Sequence, residues 1–141
     1  MSNLNAFLSQ NIIKQPNVFY APSKRIIGDD GKPVPFEICC ITPKENKEIK
    51  KGCMKRVPIP GKKNQYMQDF DANEYTARLA VRCTIFPDLN NKELQDSHGV
   101  MSAEDLILTI LTPGEYEDYT SKILEANGFK NEDELIDEAK N

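Results

Sequence analysis

The spacing of apolar residues divides the chain into a strand-forming first part and a helical second part. Within residues 17–41, apolar and polar positions alternate along a predicted return strand, whose side chains point to opposite faces in turn. Gly28-Asp29-Asp30-Gly31 is a typical turn sequence, so this region predicts a β-hairpin. The apolar face of its return strand consists of Val34, Phe36, Ile38 and Cys40.

Helix-capping signals dominate the sequence after residue 41. Thr42-Pro43-Lys44-Glu45 and Thr112-Pro113-Gly114-Glu115 are capping boxes with proline at the first helical position. Residues 57–70 contain Pro58, Pro60 and Gly61, and they are predicted to form a loop. The predicted helices cover residues 3–10, 42–55, 71–86, 91–98, 103–111, 112–127 and 132–139.

These elements predict an α+β fold, with an N-terminal β-hairpin packed on a bundle of five to six short helices. A two-stranded ribbon is marginally stable alone, so helices must cover it. A chain of 141 residues predicts one domain, residues 1–141. Its expected parts are a short helix and lead-in (1–16), the hairpin (17–41), a helical body (42–130) and an acidic terminal helix (131–141).

Charge is distributed unevenly along the chain. The net charge is -4, but residues 1–70 hold twelve basic and six acidic residues, whereas residues 71–141 hold six basic and sixteen acidic residues. The most basic stretch, residues 44–63, has eight basic and two acidic residues. Such asymmetry is typical of a molecule with two differently charged faces.

The sequence offers little catalytic or metal-binding chemistry. The four cysteines, Cys39, Cys40, Cys53 and Cys83, form no CxxC pair, and the single histidine, His98, lies at a predicted helix end. No glycine-rich phosphate loop occurs, and the paired carboxylates fall on predicted solvated faces. We therefore expect no enzyme, no metal and no cofactor. No leader sequence or apolar run long enough for a membrane helix is evident.

Two surfaces are candidates for binding a partner. The first is apolar and either belongs to the core or borders a groove: Leu106, Ile107, Ile110 and Leu111. The second is a basic rim: Lys50, Lys51, Lys55, Arg56, Lys62 and Lys63. The rim is either a solvated face or a docking surface for an acidic protein or the acidic half of another copy. Nucleic acid is disfavoured because the chain is acidic and the basic stretch lacks interleaved aromatic residues.

Six groups of residues along nearly the whole chain form a recognisable series. They are Leu4–Leu8, Asp30–Val34, Lys55–Lys63, Leu79–Val81 leading to Cys83–Leu89, Glu93–Ser97 through Met101, and Leu111–Tyr116. Individually these segments are weak signals. In this order along the chain, they resemble the XkdN-like phage tail assembly chaperones.

The resemblance implies a role in contractile-tail phages, prophages or phage-tail-like bacteriocins. Such a protein would bind the tape measure protein in the host bacterial cytoplasm, keep it soluble, help recruit tail tube protein, and be absent from the finished particle. Many tail chaperones also have a longer product made by a -1 frameshift, and Ala139-Lys140-Asn141 would contain a slippery heptamer if encoded GCA-AAA-AAC. The alternatives are a structural tail component and a small prophage-encoded nucleic-acid-binding protein.

Overall fold

The computed structural model describes residues 3–129, so the acidic helix predicted over residues 131–141 lies outside the described residues. Helices and strands are mixed, which confirms the α+β class. A 3-10 helix at Asn3–Phe7 comes first. The strands are β1 (Val18–Tyr20), β2 (Phe36–Ile38), β3 (Met54–Pro58), β4 (Tyr66–Phe70) and β5 (Thr84–Phe86), and the α-helices are α1 (Pro43–Gly52), α2 (Ala72–Cys83), α3 (Lys92–Ser97), α4 (Ala103–Ile110) and α5 (Pro113–Ala126).

A three-stranded antiparallel sheet, in the order β1-β2-β5, replaces the two-stranded hairpin predicted over residues 17–41. β1 and β2 pair with Val18 opposite Ile38 and Tyr20 opposite Phe36. Within the β-prone segment between them, Ile27 and Pro33 form an isolated antiparallel bridge around the predicted turn. Phe36 and Ile38 are buried, as the alternation predicts.

The third strand, β5, occupies residues predicted as the end of a helix. α2 begins at its predicted N-cap, Asp71, but it ends at Cys83 rather than Phe86. Residues 84–86 are β-branched or aromatic, and such residues favour strands. They pair with the open edge of β2, and the Cys39 N–H donates to the Cys83 carbonyl at 2.8 Å.

The loop predicted over residues 57–70 is wrong, because residues 54–70 form the hairpin β3–β4. Pro58 lies at the end of β3, and Pro60 and Gly61 lie in the turn, where Gly61 has φ +78°. α1 accordingly ends at Gly52, three residues before the predicted position. The hairpin was missed because its residues are nearly all exposed, so they show no apolar face that alternation would reveal.

The core forms where β2 meets three helices. Tyr119 of α5 is fully buried, its ring packs edge-on against Phe36 at 5.2 Å, and its hydroxyl lies 2.6 Å from Thr84 Oγ1. Both predicted capping boxes are present, and Gly128 follows α5 with φ +80°, a conformation that favours glycine. The buried side chains of this core include Phe36, Ile38, Leu79, Cys83, Leu106, Ile107, Leu111, Tyr119 and Ile123.

An ion pair ties the segment between β1 and β2 to α5. Arg25 Nη2 lies 2.6 Å from Glu115 Oε1 and also donates to the Ile110 carbonyl at 2.8 Å. The Glu115 carboxylate also accepts from the Thr112 N–H at 2.9 Å. The hydrogen bond from Arg25, followed by those from Thr112 and Ser23, lowers the pKa of Glu115 from 4.5 to about 2.

The lowered pKa of Glu115 predicts that the fold loses stability in acid. A carboxyl whose pKa is lower in the folded state stabilises the fold above its unfolded pKa and loses that contribution as the pH falls from about 4.5 to 2. We expect Glu115→Gln to flatten the loss of stability across this range, as measured by urea unfolding at several pH values. The control is Glu117→Gln, an exposed carboxyl on the same helix, which should retain the wild-type slope. An unchanged slope in Glu115→Gln would contradict the assignment.

Candidate partner-binding surfaces

The β3–β4 hairpin projects from the body, and we call residues 54–70 the arm. Val57 and Ile59 are half-buried, and the rest of the arm is exposed. Its base is fixed by the Asp71 N–H, which donates to the Cys53 carbonyl at 2.9 Å, and by the Phe70 ring, which lies 5.6 Å from Tyr75. A two-stranded ribbon held at its base leaves most of both faces exposed to solvent.

Both faces of the arm mix apolar and charged side chains. Strand alternation places Met54 and Arg56 on one face, together with cross-strand Tyr66 and Phe70. The Arg56 guanidinium carbon lies 4.0 Å from the centre of the Tyr66 ring, a cation–π contact that orders both side chains. Met54, Tyr66, Met67 and Phe70 are each 40–48% exposed. Flexible methionines and aromatic rings beside positive charges suit an acidic, amphipathic polypeptide.

All six residues of the predicted basic rim are exposed, and they lie on the last turn of α1 and on the arm. Their settings differ. Lys55 Nζ lies 2.7 Å from an Asp71 carboxylate oxygen and 3.5 Å from a Glu74 carboxylate oxygen. The hydrogen bond to Asp71 and the nearby negative charges raise the pKa of Lys55. The same hydrogen bond lowers the pKa of Asp71. Lys62 and Lys63, near the arm turn, form no ion pair within residues 3–129. The role of the rim in partner binding stays a prediction.

The predicted apolar surface divides between the core and an open cavity. Leu106, Ile107 and Leu111 are buried and therefore belong to the core rather than to an exposed groove. α4 packs against α2, and these three side chains belong to the buried core cluster. Ile110 is half-buried and reaches the wall of a cavity. Contact between Ile110 and a partner stays a prediction.

This apolar cavity has a volume of about 390 Å³ and lies at the end of the main sheet. Residues from five separate regions meet there, so sequence spacing gave no signal for it. Phe86 is 52% exposed and forms part of the wall, beside Pro87. The full lining is Arg25, Ile26, Val34, Phe36, Phe86, Pro87, Leu94, His98 and Ile110.

A second, polar groove of about 920 Å³ runs between α2 and α4. Its α2 side is occupied by ion pairs: Arg78 Nη2 lies 2.6 Å from Glu74 Oε1, and Arg82 pairs with Glu45 of α1. Glu104 and Asp105 of α4 line the opposite side. The groove therefore contains fixed charges of both signs.

Among the residues that the structure describes, those considered for chemistry lie in separate settings. His98 is the exposed C-cap of α3, as predicted. Burial raises the pKa of the Cys83 thiol to about 12, so this cysteine stays protonated and unreactive. Within residues 3–129, no three His, Cys, Asp or Glu side chains converge in a geometry that could hold a metal ion.

Sequence comparison agrees with the predicted resemblance. The model of the phage XkdN-like tail assembly chaperone family matches residues 4–140. The chain belongs to this family. The phage-like element PBSX protein XkdN of Bacillus subtilis (strain 168) is 28% identical over 141 residues, covering 99% of this chain and 94% of that protein. YqbN of the same strain is 28% identical over 138 residues, covering 97% of this chain and 91% of that protein.

The fold of this family member is also similar to a solved structure. The crystal structure of YqbN superposes with a TM-score of 0.76 and 26% sequence identity, covering 92% of this chain and 99% of that chain. Tail assembly chaperones are in general non-catalytic, consistent with the expectation of no enzyme. No helix within residues 3–129 is both long and apolar enough to cross a bilayer.

Proposed function

We propose that this chain is the assembly chaperone of a contractile phage-type tail and binds the tape measure protein. It keeps that protein soluble in the host bacterial cytoplasm, helps recruit tail tube protein, and leaves before the particle matures. The observation that carries the proposal is the family match across residues 4–140. The arm and the apolar cavity support it, because they are the exposed features suited to a polypeptide partner.

A chaperone of this kind must bind its partner tightly enough to keep it soluble, but weakly enough to be displaced later. Tail tube protein must displace it from a long helical partner, so a very large apolar interface would be unsuitable. The arm offers four partly exposed apolar side chains among positive charges, a combination that supports modest, salt-sensitive binding. Because only the bound fraction of the tape measure is protected, its solubility should follow the concentration of this chain by mass action.

Co-expression with the tape measure protein of the same phage or prophage tests the proposal. With a tag on this chain, we expect the tape measure to become soluble only when this chain is present, and to elute with it. The matched control is a tagged chain of unrelated fold and similar net charge, which should leave the tape measure insoluble. A folded chain that neither solubilises nor retains the tape measure would contradict the proposal.

Purified particles separate the proposal from its alternatives. A structural tail component persists in mature particles, where mass spectrometry would detect it, whereas an assembly chaperone is absent. A nucleic-acid-binding protein is retained on DNA with an affinity that falls steeply with salt. Detection in particles, or retention on DNA without the tape measure, would favour the corresponding alternative.

A further inference from the structure

The chain exposes an uncharged, apolar segment ahead of its first strand. All of residues 3–17 are exposed, and residues 3–13 contain no charged side chain, although 28% of the whole chain is charged. The large apolar side chains of Phe7, Leu8, Ile12 and Ile13 are 42–93% exposed. Contact between water and this much apolar surface is unfavourable, so a surface that covered it would gain binding free energy. We call residues 5–13 the N-terminal segment.

The N-terminal segment is folded locally by its own hydrogen bonds. The carbonyl of Asn5 accepts from the Leu8 N–H at 3.2 Å and from Asn11 Nδ2 at 2.7 Å. The carbonyl of Leu8 accepts from the N–H groups of Asn11 at 2.8 Å and Ile12 at 3.1 Å. These bonds give the segment a shape without joining it to the body. A segment that already has its shape loses less conformational entropy on binding.

The apolar cavity beside Ile110 suits an uncharged occupant. Most of its lining is apolar, including the rings of Phe36 and Phe86, and its volume of about 390 Å³ lies in the range of about 300–1,000 Å³ that is usual for binding pockets. The Arg25 guanidinium in its wall is already paired with Glu115 at 2.6 Å, so a carboxylate would gain little there. Apolar side chains would instead remove apolar surface from water on both sides of the contact. The cavity therefore differs in its preference from the basic arm.

The N-terminal segment and the cavity lie at opposite ends of the three-stranded sheet. The segment leads into β1 at Val18, which is paired with Ile38 of β2. The cavity wall includes Phe36, at the other end of β2, and Phe86, at the end of β5. Two unlike surfaces at opposite ends of a molecule meet when copies associate head to tail, which is a heterologous contact. The segment of one copy is thus placed to meet the cavity of the next.

We propose that the N-terminal segment of one copy docks in the apolar cavity of a second copy. Phe7 and Ile13 are the most exposed of its large apolar side chains, so they have the most surface to bury in the contact. The contact joins apolar surfaces without an ion pair, so its strength should change little with salt, unlike binding by the arm. It leaves the arm free and does not rest on the proposed function.

Sedimentation equilibrium of the full chain, without any partner protein, tests the docking. The mass of the wild type should rise with concentration above that of one copy. F7S/I13S should weaken association at least tenfold, because two apolar contacts are lost. His98→Trp should weaken it by a similar factor, since an indole at this exposed position of the lining would occupy the cavity mouth.

Mixing the two variants distinguishes the two sides of the contact. F7S/I13S retains the cavity and H98W retains the segment, so together they should form a one-to-one pair at concentrations where each alone remains a single copy. The control M101S/L108S removes two exposed apolar side chains elsewhere and should associate like the wild type. Urea unfolding of each variant checks that the fold is retained.

Several results would overturn the docking. They are a wild type that remains a single copy at every concentration, unchanged association in F7S/I13S, and the absence of a pair in the mixture. A wild type that remains a single copy, together with loss of tape measure binding in F7S/I13S, would assign the segment to that partner instead. The mass measurements do not involve the tape measure, so this proposal and the proposed function fail separately.

Discussion

Replacing Leu106 by alanine is expected to destabilise the fold by about 2–5 kcal/mol, the range typical of buried leucine truncations. Leu106 is completely buried between α4 and its neighbours, with Ile107 beside it in the same core. Truncation removes apolar contacts and leaves a cavity that the surrounding helices fill incompletely. Urea unfolding should show a lower midpoint with an unchanged denaturant dependence.

Leu108 provides a matched control on the same helix. It is 51% exposed, so Leu108→Ala removes the same atoms from a position largely in contact with water. We expect a change of less than about 0.5 kcal/mol, as is usual at surface positions. Equal, small effects at both positions would contradict the assignment of Leu106 to the core. They would indicate instead that Leu106 lines the surface of a groove.

The contrast between these two leucines shows why apolar spacing could not separate core from groove. Leu106, Ile107, Leu108, Ile110 and Leu111 all lie within one short apolar stretch. Their exposure depends on where α2 and α5 pack, and that arrangement is set by distant parts of the chain. The cavity beside Ile110 was likewise beyond prediction, because β2, β5 and α3 contribute to its wall.

Local signals predicted the fold where local contacts decide it. The boxes at Thr42 and Thr112 depend on side chains three residues away, and both predicted helix starts are observed. Strand β5 depends on pairing with β2, more than forty residues earlier, so a helix was extended through it. The arm has little buried surface and prolines near its turn, and both features concealed its strands.

The basic rim was predictable because charge is a property of the sequence itself, whereas ion pairing is not. Lys55 and Arg56 were equivalent by sequence, but Lys55 is paired with Asp71 and Glu74, and Arg56 stacks on Tyr66. Charge reversal at Lys55 would therefore disturb the base of the arm as well as any partner contact. Lys62 and Lys63 lie near the arm turn without ion pairs among the described residues, so they test the partner contact more cleanly.

Reversing both charges with K62E/K63E is expected to weaken binding of the tape measure protein by about tenfold or more at low salt, because two attractive charges become repulsive. The stability of the free chain should change by less than about 0.5 kcal/mol, since both side chains are exposed. Binding is measured by titrating each variant against tape measure protein and scoring how much remains soluble. K14E/K32E, which reverses two exposed lysines outside the arm, should bind like the wild type.

Salt dependence separates a charge contact from a change in the shape of the arm. At about 1 M salt the Debye length falls to about 3 Å, so the difference between K62E/K63E and the wild type should largely disappear. A deficit that persists at high salt would indicate that the turn itself had been disturbed. Wild-type binding by K62E/K63E at low salt would exclude these two lysines from the interface. The remaining candidates for the site of contact would then be the apolar side chains of the arm and the cavity beside Ile110.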